Sequence, residues 1–163
     1  MLFKLTIDLV PKTAHFKSLY RYYQEKDEIV KWKKLKEQLF REEGRKCWIC
    51  GKGAEGNKIA INLKLDAHEF WNYRDDGVQE LVAVHHICDL CHRIKHIGLW
   101  CTTDYGIEEM KKIGLTKEML IEHFCKVNNS TEEEFDRYEQ ECFDEWEERN
   151  TVQWVQNFGR YKV

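Results

Sequence analysis

Four cysteines of this chain form two Cys-x-x-Cys pairs whose spacing suits metal chemistry: Cys47, Cys50, Cys88 and Cys91. A Cys-x-x-Cys turn points two thiolates at one ion, and zinc prefers four tetrahedral sulfur or nitrogen ligands in closed structural sites. The 37 residues between the pairs exceed the spacing of a simple zinc ribbon, so a hairpin must bring the pairs together. We therefore predict one structural Zn²⁺ ion bound by these cysteines.

Three histidines lie within or beside the same stretch. His92 and His96 are four residues apart, so on a helix both rings project from one face and can bind one ion. The four cysteines already fill the zinc shell, and His68 is the natural third ligand of a second ion. Three imidazoles leave coordination positions open, which is typical of a reactive site rather than a structural one.

The segments before the first cysteine pair are predicted to be a strand and a helix. Leu2 to Val10 alternates apolar and polar residues, a strand pattern that Pro11 ends. From Ile29, apolar residues recur at helical spacing until Gly44, which we expect to stop the helix.

The middle of the chain is predicted to be a hairpin followed by a helix. Ile59 to Tyr73 is extended, residues 74–77 form an Asp-Gly turn, and Val78 to Ile87 returns as the second strand. If Tyr73 pairs with Val78, then His68 lies opposite Ala83. A short helix over residues 90–97 follows and stops at Gly98.

Two further helices are predicted near the carboxyl end. Residues 116–127 begin at Thr116. Residues 131–149 begin with Ser130 and Thr131, and Glu133 and Glu134 follow in a capping-box pattern. The tail from Trp154 to Val163 adds a short strand. The expected organisation is one compact domain: a basic amino-terminal part (1–46), a metal-binding core (47–98) and a helical extension (99–163).

Composition narrows the protein class. The 13% aromatic and 42% hydrophobic residues support a folded core, and no run approaches the roughly 18 apolar residues of a membrane span. We expect no membrane association. Seven cysteines without an export signal favour reduced thiols and a cytoplasmic location.

Charge is unevenly distributed along the chain. Residues 31–46 are rich in Lys and Arg, and residues 131–150 are rich in Asp and Glu. Basic side chains beside the metal ligands can bind phosphates. The main candidates are Arg45, Lys46, Arg93 and Lys95. Alternatively, the lysines of the first helix bind no phosphate and simply form its solvent-exposed face. The acidic helix is expected to lie away from nucleic acid, or to meet a basic protein partner.

Residues 47–98 resemble the HNH endonuclease family, whose core is the ββα-metal (His-Me finger) fold with an added zinc knuckle. The matching segments are Cys47-x-x-Cys50-Gly51, Leu65-Asp66-Ala67-His68-Glu69 and Cys88-x-x-Cys91-His92-x-x-x-His96. More loosely, the chain resembles uncharacterised HNH-type proteins of bacteria and phages. The resemblance implies an α+β fold in which this core is flanked by the amino-terminal strand and helix and by the helical extension.

The resemblance also implies a reaction, since the family cleaves phosphodiester bonds with one divalent ion. It assigns His68, His92 and His96 to the ion, which is Mg²⁺, Mn²⁺, Ni²⁺ or Zn²⁺. Glu69 stands where the family commonly has a general-base histidine, and Ala83 stands near the family's usual asparagine. In an alternative register His68 is the base and Asp66 or His85 helps to hold the ion.

Two functions follow as hypotheses. The first is a metal-dependent endonuclease acting on DNA, with a separate structural zinc. The second is a catalytically degenerate zinc module on the same fold, which binds nucleic acid or a protein as a phage or mobile-element effector.

Overall fold

A computed structural model of the protein describes residues 2–53 and 64–163. Over these residues the fold is α+β, with one three-stranded sheet and seven α-helices. The helices are α1 (Leu19–Glu25), α2 (Ile29–Glu43), α3 (Asp89–Lys95), α4 (Ile97–Thr102), α5 (Asp104–Lys112), α6 (Lys117–Asn128) and α7 (Glu132–Arg149). The strands are β1 (Leu65–Tyr73), β2 (Val78–Cys88) and β3 (Val155–Asn157). The start of the first predicted strand, residues 59–63, lies outside the described residues.

Several helix ends follow the local sequence signals. Gly44 ends α2 with a φ of 76°, a left-handed conformation that glycine adopts without a steric penalty. Thr116 caps α6 by accepting a hydrogen bond from the amide of Met119. Thr131 and Glu134 form a complete capping box at the start of α7, as predicted.

The hairpin of β1 and β2 is antiparallel, but its register differs from the prediction. Tyr73 pairs with Gln79 rather than Val78, and a further shift between Phe70 and Trp71 leaves Val82 as an extra residue in β2. As a result His68 lies opposite His85, not Ala83, and Asp66 lies opposite Ile87, not His85. Because the two one-residue shifts add to two between Leu65 and Phe70, the residues that share a face there are unchanged.

The amino-terminal segment is extended and alternates as predicted, with Leu5, Ile7 and Leu9 buried. The prediction that it is a strand is wrong, because its backbone bonds to helices instead of the sheet. The amide of Asp8 donates to the carbonyl of Lys95, and the amide and carbonyl of Leu5 both bond to the side chain of Asn128. The segment is therefore a strap across α3, α6 and α7.

The prediction of one helix over residues 90–97 is also wrong about where that helix ends. The turn after α3 is at His96, where φ is −108°, and Gly98 lies inside α4. The carbonyl of His96 accepts hydrogen bonds from the amides of Leu99 and Trp100, so the chain starts a new helix immediately. The predicted short strand of the tail is confirmed as β3, which pairs parallel to the start of β2.

The sheet separates two apolar clusters. One cluster joins the strap to α3, α6 and α7 and includes Phe124 and Phe135. The other packs α1 and α2 on the opposite face of the sheet through Leu19, Tyr23 and Leu39. The hairpin and α3 are thereby fixed from both sides, and these elements carry every predicted metal ligand except the first cysteine pair and His96, which directly follows α3.

Candidate metal centres

The four predicted cysteines form one cluster in which the sulfur atoms all lie within 4.8 Å of one another. Sγ of Cys50 is 3.7 Å from Sγ of Cys88. Sulfur atoms bound to zinc at about 2.3 Å in a tetrahedron lie about 3.8 Å apart, so this spacing fits such an ion. The quartet can therefore bind a metal such as zinc, as the sequence predicts.

Backbone hydrogen bonds build the two knuckles. The amide of Cys50 donates to Sγ of Cys47, and the amide of Cys91 donates to Sγ of Cys88. Gly51, with a φ of 77°, turns the chain after the first pair. The amide of Trp48 donates to the carbonyl of His86 on β2, which ties the first knuckle to the strand that leads into the second.

Contacts among the four thiols of the quartet shift their pKa values in opposite directions. Contact with Cys47, and then with Cys88 and Cys91, lowers the pKa of the Cys50 thiol, whereas contact with Cys47 and Cys50 raises the pKa of Cys91. Thiolates are the form that binds metal, so binding of an ion releases the protons that the quartet retains.

A buried histidine that the sequence did not indicate touches this quartet. His123 of α6 is 5% exposed, and its Nε2 lies 3.2 Å from Sγ of Cys91. A ring N–H that donates to a ligand sulfur orients the ligand and spreads its charge. The only sequence signal is a polar residue between the apolar positions Leu120 and Phe124 of α6, which by itself does not reveal a partner 32 residues away.

The three predicted histidines also come together. His68, His92 and His96 each offer a ring nitrogen within 4.8 Å of the others, and the ring centroids are 4.9 to 5.3 Å apart. His68 comes from β1, His92 from α3 and His96 from the turn between α3 and α4. The three rings thus form a triangle that could hold one ion.

The protonation of the triangle suits a cation. Burial, together with the neighbouring rings, lowers the pKa of His68 and lowers that of His96 further. Both rings are therefore neutral near pH 7, the form that binds metals. Nε2 of His68 is buried and has no hydrogen-bond partner among the described residues, an uncommon state for a buried nitrogen.

The two proposed accessory residues have different surroundings. Asp66 lies beside the triangle, with Oδ2 3.5 Å from Nδ1 of His92. His85 is turned away: its Nδ1 is 2.6 Å from Oε1 of Glu43, and its ring stacks on Trp48 at a centroid distance of 3.8 Å. Asp66 can orient a ligand ring, whereas His85 joins the sheet to α2 and the first knuckle.

Asp8 and Lys95 form a second feature that sequence reasoning missed. Nζ of Lys95, a residue that is 2% exposed, lies 2.8 Å from Oδ2 of Asp8 and donates to Thr6. The same Oδ2 lies 3.8 Å from Nε2 of His68. Burial alone would raise the pKa of Asp8, but contacts with His68 and Lys95 outweigh it and lower the pKa to about 2.

Glu69 contacts a helix start. Its carboxylate accepts a hydrogen bond from the amide of Leu19, with oxygens at 2.7 and 3.1 Å. Burial raises the pKa of Glu69 to about 7, and the Leu19 amide opposes that rise only in part. A carboxylate with such a pKa can exchange a proton near neutral pH.

The predicted phosphate-binding residues divide into two groups. Arg45 and Lys46 are exposed beside the first knuckle, and the Arg45 guanidinium covers the Phe40 ring at 4.5 Å. Arg93 stacks on Trp100 at 4.0 Å and donates to Asp89, but its Nη1 has no partner among the described residues. Lys95 is bound by Asp8 and Thr6, so its ammonium group is not available to bind phosphate.

A groove of about 1040 Å³ opens over the histidine triangle. The strap, β1 and α7 line it, and both His68 and Glu69 contribute to its wall. The acidic helix α7 turns Phe143 and Trp146 toward this groove, together with Glu145, so it borders the groove rather than lying on a remote face. Most of its carboxylates are exposed to solvent.

Comparisons with known proteins gave no match. No family model matches it, no curated protein matches it, and no solved structure matches it. None of the helices in residues 2–53 and 64–163 is both long and apolar enough to cross a membrane.

Proposed function

We propose that this protein is a metal-dependent endonuclease of the HNH type that cleaves DNA, with a structural zinc in the cysteine quartet. The observation that carries the proposal is the histidine triangle at the groove. The rings of His68 and His96 are neutral, and Nε2 of His68 is buried without a hydrogen-bond partner among the described residues. Such an atom is costly to bury unless it binds something, and an ion shared with His92 and His96 satisfies it.

When bound there, a divalent ion polarises a phosphate and stabilises the leaving oxygen. The chain supplies the remaining groups. Glu69, held by the Leu19 amide, accepts a proton from the attacking water at its raised pKa. Arg45, Lys46 and Arg93 bind phosphates of the substrate, through contacts that do not depend on base sequence.

A specific observation favours the second candidate, a zinc module that binds without cutting. The Glu69 carboxylate is engaged by a helix amide, and the residue opposite His68 is His85, whose ring is committed to Glu43. Both features stabilise the fold without any substrate. In this reading the triangle binds an ion that anchors a partner, and the acidic α7 meets a basic protein.

The test is plasmid nicking by the zinc-loaded protein with added Mg²⁺, Mn²⁺ or Ni²⁺. We expect the wild type to nick supercoiled DNA, and His68→Ala and His92→Ala each to abolish nicking. The matched control is His15→Ala, which removes an exposed histidine that lines the groove outside the triangle. Nicking that survives both triangle substitutions would refute the assigned site, and no nicking with any of the ions would favour the binding module.

A further inference from the structure

Two polar atoms face each other beside the histidine triangle without forming a hydrogen bond. Oδ2 of Asp8 and Nε2 of His68 are 3.8 Å apart, beyond hydrogen-bond length. Atoms that bind one ion at about 2.1 Å are about 3.0 to 3.5 Å apart. The separation is thus too long for direct pairing and close to that of two ligands of one ion.

The position of Asp8 is fixed from several sides. Its amide donates to the carbonyl of Lys95, and its Oδ1 accepts a hydrogen bond from the Thr6 hydroxyl. Ile7 and Leu9, its neighbours on the strap, are buried in the apolar cluster. A carboxylate held in this way keeps its oxygen beside His68 with little conformational entropy left to lose on binding.

We propose that Asp8 is the fourth protein ligand of the ion held by His68, His92 and His96. The inference rests on the ion of the proposed function and adds a residue from the strap, far from the other three in sequence. Lys95 balances the carboxylate charge when the ion is absent. The strap thereby becomes part of the site, in addition to covering the core.

A fourth protein ligand limits which ion can support chemistry. Zinc is commonly four-coordinate, so three imidazoles and one carboxylate close its shell and leave no position for water. An ion that accepts six ligands, such as Mn²⁺, would keep two positions beyond these four, one for a phosphate and one for water. The site should therefore cut with six-coordinate ions and be inhibited by zinc.

The test is a titration of the full chain, with one zinc already bound, using Co²⁺ as the probe. Its visible absorption reports ligand number and geometry, independently of DNA cleavage. For Asp8→Asn we expect Co²⁺ affinity to fall by at least about tenfold, with a changed spectrum. For Lys95→Met, in which Asp8 loses a competing cation, we expect tighter Co²⁺ binding than in the wild type.

Asp75→Asn is the matched control, because it makes the same substitution at an exposed aspartate of the hairpin turn. It should leave the Co²⁺ spectrum unchanged. Circular dichroism establishes that each variant is folded before titration. A wild-type spectrum in Asp8→Asn overturns the inference, even if affinity has fallen, because the ligand set would then be intact. Failure of the proposed function is seen separately, as tight Co²⁺ binding without nicking.

Discussion

His123 of α6 and Cys91 of α3 are in contact, with Nε2 of the ring 3.2 Å from the sulfur. With its proton on Nε2, the imidazole donates a hydrogen bond to a sulfur that belongs to the cysteine quartet. This contact joins the carboxyl-terminal helices to the metal-binding core.

Replacing His123 should weaken zinc binding without removing a ligand. We expect His123→Ala to lower zinc affinity by about 10- to 100-fold, because the Cys91 thiolate loses the donor that orients it. Competition with a coloured chelator measures this affinity. His15→Ala, which changes an exposed histidine, should retain the wild-type value. Equal zinc affinity in His123→Ala would show that the contact has no influence on the ion.

Removing a quartet ligand should have a larger effect. We expect Cys47→Ser to lose both its zinc and its cooperative fold, because structural zinc sites contribute their binding free energy to folding. Metal analysis and thermal unfolding by circular dichroism measure the two losses. Cys101→Ser is the matched control, since Cys101 lies outside the quartet. A stable, zinc-free Cys47→Ser protein would contradict a structural zinc.

Glu69 should make the stability fall as pH rises. Its pKa is raised from 4.5 to about 7 in the folded state, so the folded protein binds more protons than the unfolded chain between these values. The contribution of Glu69 to the free energy of unfolding therefore decreases from about pH 4.5 to pH 7, by up to about 3 kcal/mol.

Glu69→Gln isolates that contribution. The amide oxygen of Gln can still accept the hydrogen bond from Leu19, but the side chain does not titrate. We expect the variant to gain stability relative to the wild type as pH rises through this window, measured by urea unfolding at several pH values. A constant difference between the two proteins across the range would show that Glu69 does not titrate as described.

The crossing of α4 and α5 depends on Gly106. A Cβ built there would lie 1.9 Å from the carbonyl oxygen of Leu99, so a methyl group must push the helices apart. We expect Gly106→Ala to lower the free energy of unfolding by about 2 kcal/mol or more. Glu108→Ala, on the same helix, changes an exposed side chain and should stay within about 0.5 kcal/mol.

Features that depend on neighbouring residues could be predicted from the sequence. The capping box of α7, the end of α2 at Gly44 and the Thr116 cap each need only a few adjacent residues. The quartet and the triangle were also accessible, because Cys-x-x-Cys and His-x-x-x-His spacings fix ligand geometry within one turn.

Features that depend on distant partners could not be predicted. The strap alternates like a strand, but its amides bond to Asn128 and Tyr138, which are more than one hundred residues away. No residue type near Val82 marks the extra residue in β2, so the predicted register of the hairpin was wrong. Asp8 and His123 become site residues only through such long-range contacts.

One peptide bond, between Cys91 and His92, joins the quartet to the triangle. In the proposed centre, occupation of one site would hold the backbone that presents a ligand of the other, which would link the two binding equilibria. By thermodynamic reciprocity, any factor by which zinc raises the affinity of the histidines for their ion is the factor by which that ion raises the affinity for zinc. In the proposed centre, loss of the zinc thiolates to an oxidant would therefore weaken binding of the second ion by that same factor.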